Sequence, residues 1–295
     1  MQLGAIFPTT EIGSDPSAIR EWAQAAESLG YGHLVTYDHV IGAMHAERDP
    51  RLMGPYTEND AFHEPLVLFG YLAGVTTTLE LATGILILPQ RQTVLVAKQA
   101  AEVDLLSRGR LRLGVGTGWN WVEYDALGSA FDRRGARFEE QIGLLRRLWR
   151  EPVVDFTGDE HRVDRAGLLP LPERDIPIWF GGFTPVAFRR AARVGDGFQF
   201  GSAGPAIRGQ WEQLKQLLSE AGRDTASFGA EATIDYSAGA DAWKAEADAW
   251  REAGGTHFSL RAMDTAAEFV GAKRVGYSGL GDYVRALEEF VKAIA

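Results

Sequence analysis

The chain has 295 residues, 45% hydrophobic and 24% charged, with no low-complexity tract, so a sizeable core is easily buried. Its net charge of -10 argues against nucleic acid or an anionic membrane as a partner, because phosphates need a basic face. The lack of any cysteine excludes disulfides, thiolate metal ligands and cysteine nucleophiles.

The first residues, MQLGAIFPTT, carry neither the basic start nor the long apolar run of a secretion signal. No stretch approaches the roughly 18 apolar residues of a membrane span. A soluble cytoplasmic protein is expected.

From its start the chain alternates short β-rich runs with longer amphipathic helices. Leu3 to Pro8 has strand character, Asp15 caps a helix with Pro16 in its first turn, and Ile19, Trp22, Ala26 and Leu29 form its apolar stripe. His33 to His39 is the second strand and Leu79 to Pro89 the third, the latter apolar enough to be buried on both faces. Arg110 to Gly116 is the fourth; Ile176 to Gly182, Gly197 to Gly201, Ala232 to Ala238 and Thr256 to Met263 bring the count to eight.

Helical stripes fall between them, at Phe138, Ile142, Leu145 and Trp149, at Ile207, Trp211, Leu214 and Leu218, and at Trp243, Ala247 and Trp250. A last helix places Val284, Leu287, Val291 and Ile294 on one side. Two segments interrupt the rhythm. Ile41 to Phe62, after the second strand, is polar and aperiodic and suits a lid; Glu151 to Asp175, before the fifth, suits a small hairpin and a loop. The expectation is one α/β domain over 1–295, a (β/α)8 TIM barrel with insertions after strand 2 and before strand 5.

The rival is a dinucleotide-binding fold, which needs G-x-G-x-x-G. Here the third glycine comes one residue early (Gly114, Gly116, Gly118, with Trp119 at the required position), and the acids about 20 residues on, Glu139 and Glu140, lie inside a helix. Spacing and context both fail.

A barrel presents reactive groups at the C-terminal ends of its strands. That rule selects Asp38 and His39, then Thr83 and Gly84, then Thr117 to Asn120, then Gly181 to Thr184. His39 can move protons near neutral pH, although a polar rim residue is the plainer reading. The glycines of GVGTG allow a ligand close approach or simply make a tight turn. Gly181, Gly182 and Thr184 before Pro185 suit a phosphate on free helix N–H groups, or a plain N-cap. No metal-ligand spacing and no G-x-S-x-G occurs, so neither metal nor serine-hydrolase chemistry is indicated.

Four stretches together resemble the luciferase-like monooxygenase superfamily of bacterial oxidoreductases. They are TYDHV (36–40), ATGILILPQRQTVLVAKQAAEVDLLSRGRLRLGVGTGWNWVEYDALG (82–128), RRGARFEEQIGLLRRLW (133–149) and IPIWFGGFTPVAFRRAARVGDGF (176–198). The resemblance implies a barrel with a flavin-like ring at its C-terminal mouth. Asp38 and His39 would flank that ring, His39 as proton donor or acceptor. Thr83, Gly84 and Ile85 would form a bulge behind it, often with a non-proline cis peptide. Gly116, Thr117, Gly118 and Asn120 would line the cofactor's polar chain, and Gly181, Gly182, Phe183 and Thr184 would hold its phosphate.

The GVGxGW wording implies the deazaflavin coenzyme F420, with FMN as the alternative. Arg91 is expected at the mouth to meet the carboxylate tail of F420; Arg189 and Arg190 suit that role or a solvated helix face. The implied activity is hydride transfer between F420 and a small organic substrate. The alternatives are an FMN monooxygenase fed by a separate reductase and using O2, and a flavin-binding barrel without turnover. Tyr37, Met44, His45, Tyr56, Trp119, Trp121 and Tyr124 would give an aromatic pocket or ordinary packing. Relatives commonly form homodimers through the helices after strands two and three.

Overall fold

In the computed structural model, which describes residues 1–294, the alternation closes into a barrel. The strands are β1 Gln2–Ile6, β2 His33–Thr36, β3 Glu80–Thr83, β4 Leu86–Ile87, β5 Leu111–Gly116, β6 Val154–Thr157, β7 Arg162–Ala166, β8 Ile178–Gly181, β9 Gly197–Gln199, β10 Gly229–Asp235 and β11 His257–Arg261. Neighbours run β3-β2-β1-β11-β10-β9-β8-β5-β4, and pairing of β3 with β5 closes the ring. Every pairing in this sheet is parallel, and β3 and β4 occupy one position, so the ring has eight. It is a TIM barrel.

The helices are α1 Pro16–Ser28, α2 Pro65–Val75, α3 Thr93–Leu106, α4 Trp121–Ala126, α5 Arg134–Arg150, α6 Pro185–Val194, α7 Pro205–Glu220, α8 Ala240–Glu252 and α9 Leu280–Ile294. The Asp15 side chain accepts from Ser17 N at 2.9 Å, so α1 starts where a capping acid before proline requires. Ile207, Trp211, Leu214 and Leu218 are all buried against the sheet, each such side chain contributing about 1.5–3 kcal/mol. The last helix is rotated from its expected stripe: Tyr283, Ala286, Leu287 and Phe290 are buried, while Val284, Val291 and Ile294 are half-buried.

The second insertion is the antiparallel hairpin β6–β7, as its composition suggests, and the first has neither helix nor strand. Strand three differs from its expected run. It ends at Thr83, the Gly84–Ile85 peptide is cis, and β4 resumes against β5 alone before a 3-10 turn at Leu88–Gln90. The fourth helix, α4, gave no periodic signal because it is only 6 residues long.

Strand alternation sorts the interior. One face of each strand feeds the large core between sheet and helices. The other lines the barrel, where a small apolar plug of Ile6, Val35, Ala82 and Met263, with Tyr37 packed on it, lies above a buried polar layer containing His33, Arg112, Glu231 and Ser259. Arg112 lies 4.1 Å from the Trp179 ring and donates to Glu231 at 2.8 Å. Among the described residues no helix is long and apolar enough to cross a membrane.

Candidate active site at the C-terminal mouth

β2 ends at Thr36, so Tyr37, Asp38 and His39 leave the ladder and their side chains diverge. His39 is buried, with its Nδ1 3.1 Å from Glu123 Oε2. The other oxygen of Glu123 accepts from the backbone N–H groups of Val40 and Ile41, the latter at 3.2 Å. Burial pushes the Glu123 carboxyl up, but the His39 contact and those two N–H groups outweigh it and hold it below its ordinary value. An ionised carboxylate accepts Nδ1–H, which leaves Nε2 as the nitrogen turned away from Glu123. The ring is walled by Tyr56, Phe62 and Trp119, with centroids at 5.3, 4.9 and 5.5 Å.

Asp38 points elsewhere. It is buried, accepts from Ile87 N at 2.8 Å and from Arg91 Nη2 at 2.7 Å, and both of its oxygens are engaged. Burial raises its carboxyl, with Arg91 and the Ile87 N–H pulling against that rise. Arg91 also donates to Glu64 Oε1 at 2.8 Å, so the cation expected to meet a cofactor tail is already paired twice. Arg190 is likewise held by Glu139 at 2.7 Å, while Arg189 is exposed.

The other expected residues come together at the same end. The side chain of Ile85, on the cis peptide, lies where a Cβ on Gly116 or on Gly181 would collide with it. Three strand ends therefore meet around one residue. Thr83 Oγ1 is buried and donates to Gly114 O at 2.6 Å, bracing the bulge from behind. Gly118 has φ +61° and a Cβ there would press on Ile87. The Thr117 carbonyl accepts from Tyr124 OH at 2.7 Å.

Asn120 is buried and caps α4, accepting from Glu123 N at 3.3 Å, so its side chain serves the helix first. Thr184 caps α6, with Pro185 at the first position and no acid in the first turn. Gly182 has φ +146°, a conformation that L side chains rarely adopt, and Phe183 is exposed.

Three participants escaped the sequence reading. Glu123 stands three residues after the cap Asn120, the spacing of a capping box, but its carboxylate turns to His39 instead of back to the cap. The N-x-x-E pattern was a legible signal for it. Phe62 lay unremarked at the end of the insertion. Arg261, on the far wall, is paired with Asp235 at 2.7 Å and gave no signal beyond its strand-end position. Of the expected aromatic pocket, Tyr124 is core, packed on Phe131, and Met44 is exposed.

Gly116 and Gly181 lack the Cβ that would displace Ile85 from this end of the barrel, and α6 begins beside them with Thr184 as its cap and no acid in its first turn.

The chain is similar to known proteins in sequence and in fold. An uncharacterised protein of Mycobacterium tuberculosis is 36% identical over 227 residues, 74% of this chain and 77% of its own length. An F420-dependent glucose-6-phosphate dehydrogenase of Intrasporangium calvum is 33% identical over 189 residues, 60% of this chain and 56% of that one. An FMNH(2)-dependent dimethylsulfone monooxygenase of Pseudomonas fluorescens is 31% identical over 200 residues, 66% and 51% of the two chains. Among solved structures, the monooxygenase RslO1 from Streptomyces bottropensis superposes with a TM-score of 0.78 at 20% identity, covering 100% of this chain and 98% of that one. An F420-dependent secondary alcohol dehydrogenase gives 0.74 at 18%, covering 100% and 99%. The model of the luciferase-like monooxygenase family matches residues 1–289, and this chain belongs to that family of F420- or FMN-dependent oxidoreductases and monooxygenases.

Proposed function

We propose that the protein is an F420-dependent oxidoreductase that moves a hydride between the deazaflavin and a small organic substrate. The observation that carries this reading is the His39–Glu123 pair at the mouth, beside the Ile85 glycine cradle. When bound, the deazaflavin ring would supply or accept the hydride. The protein's own share is orientation and the proton. Gly116 and Gly181 leave room for the Ile85 side chain, which would back the ring, and Gly182 with Thr184 would hold the phosphate. His39 Nε2 takes the proton from the substrate as hydride leaves it, or returns the proton in the reverse direction. Glu123, kept ionised by Val40 and Ile41, then faces the charged ring and stabilises it. Tyr56, Phe62 and Trp119 exclude water from that step. Asp38 acts indirectly, by tying β2 to β4 through Ile87.

A second reading, an FMN monooxygenase supplied by a separate reductase, is favoured by the pairing of Arg91 with Asp38 and Glu64 and of Arg190 with Glu139. Both take cations from a polyglutamate tail. The similarity to the Pseudomonas fluorescens enzyme supports it too. Titrating the protein with F420 and with FMN, followed by fluorescence quenching, separates the two. Tight FMN binding with no F420 binding overturns the first reading. Equal inertness of wild type and His39→Ala across a substrate panel, with cofactor bound to both, would instead point to a binding barrel without turnover. Exposed apolar side chains on α2 and α3 (Val67, Tyr71, Val94, Leu95, Leu106) support a homodimer, which light scattering of the purified chain would test.

A further inference from the structure

At the end of the barrel opposite the mouth, three strand-initial residues face the interior. His33 opens β2, Glu80 opens β3 and His257 opens β11. One ligand-type atom from each lies within 4.8 Å of the other two. The register explains the meeting: His33 and Glu80 are cross-strand partners, and on β1, which separates β2 from β11, Gly4 pairs with His33 and Gln2 with His257. A Cβ on Gly4 would collide with His33 and Ser259, so the glycine leaves the room that the His33 ring occupies.

Each imidazole is anchored through one of its nitrogens. Ser259 Oγ donates its only proton to Glu231 Oε1, so it accepts from His33 Nε2 at 3.0 Å, and the same nitrogen lies 2.9 Å from Glu231 Oε1. His33 Nδ1 takes no part in these contacts. Thr256 Oγ1, which accepts from Ala230 N at 2.8 Å, lies 2.8 Å from His257 Nδ1 and holds that nitrogen. Two histidines thus each anchor one nitrogen and leave the other as a ligand, the arrangement in which metal-binding imidazoles are oriented by outer partners.

Two atoms of the cluster lack a hydrogen-bond partner. His33 is fully buried and its Nδ1 has no hydrogen-bond partner, and Glu80 Oε2 is buried without one as well. A buried acceptor left unpaired is costly. Arg112 is the competitor, with Nε 3.2 Å from Glu80 Oε2, but that contact lacks hydrogen-bond geometry and its Nη1 is committed to Glu231.

We propose that His33, Glu80 and His257 form a binding site for a borderline first-row divalent cation such as Zn2+, with water completing the coordination from the N-terminal opening. Two imidazoles and one carboxylate suit such an ion better than Mg2+ or Ca2+, which prefer all-oxygen sets. Zinc bonds of about 2.0–2.2 Å require the ligands to draw closer than their present spacing. Glu80 and His257, both half-buried, can make that adjustment while His33 stays fixed. The ion would pin the starts of β2, β3 and β11 together across β1, far from the redox site.

The test is calorimetric titration of chelator-treated full-length protein with ZnCl2, with CoCl2 absorption as a second probe. One saturable equivalent per chain is expected, uncompeted by Mg2+, with a rise in melting temperature. His257→Ala and Glu80→Gln should each weaken it at least about 100-fold, beyond the roughly 10–100-fold expected of an outer partner. Circular dichroism and cofactor titration should show both variants folded; should one fail to fold, the other carries the test. Absence of saturable binding overturns the site, as does one-equivalent binding that survives a folded variant.

Discussion

The carboxylate of Glu123 lies 3.1 Å from Nδ1 of His39, although 84 residues separate them in the chain. The contact links the loop after β2 to the first turn of α4, and it decides which nitrogen of the histidine faces the mouth.

Loss of His39 should therefore be a chemical defect. His39→Ala is expected to lower kcat by about 10²–10⁴-fold, the usual range for a general acid–base group, with cofactor affinity nearly unchanged. Glu123→Gln should lower kcat by less, about tenfold, and shift the pH profile of kcat/KM, because an amide no longer compensates a charged ring. Steady-state kinetics over pH with cofactor binding measured in parallel would check both. An unaltered profile in Glu123→Gln would remove Glu123 from the mechanism.

Acid stability should report on the same carboxylate. Glu123 is held below its ordinary value of 4.5 in the folded protein, so its stabilising contribution is complete above that pH. It fades as pH falls through the lowered folded value. The acid limb of a denaturation curve should be shallower in Glu123→Gln than in wild type; parallel limbs would contradict the sign.

Arg91 is expected to matter for folding more than for binding. Arg91→Met strands Asp38, whose side chain is fully buried, and should cost about 3–5 kcal/mol in urea melts. The double variant Asp38→Asn/Arg91→Met should recover much of it, since the carboxylate left without its cation, Glu64, is partly exposed to water.

Packing at the cradle gives a cycle. A Cβ on Gly116 collides with Cδ1 of Ile85, so Gly116→Ala should destabilise by about 1–3 kcal/mol and weaken cofactor binding. Ile85→Val removes that terminal methyl. Combining the two should restore stability, with a coupling of about 0.5–3 kcal/mol. Strict additivity would mean that the two side chains do not share this space.

How much of this was legible beforehand follows the range of the interactions. Period-2 and period-3.6 patterns, the Asp15 cap and the glycines at strand ends act over a few residues, and they were enough for the eight-position ring and the location of its mouth. Family wording added the strand-three bulge. The partners of the charged groups were out of reach. Neighbouring residues leaving a strand diverge, so whether His39 met Asp38 or another acid depended on where β2 ended, and only the closed ring brought α4 to it. The same closure turned Asp38 and Arg91 toward each other. It also set His33, Glu80 and His257 side by side at the opposite rim, from three strands with no ligand spacing between them. Local chemistry is written along the chain; the choice between partners belongs to tertiary structure, because burial makes each unpaired charge expensive enough to select its neighbour.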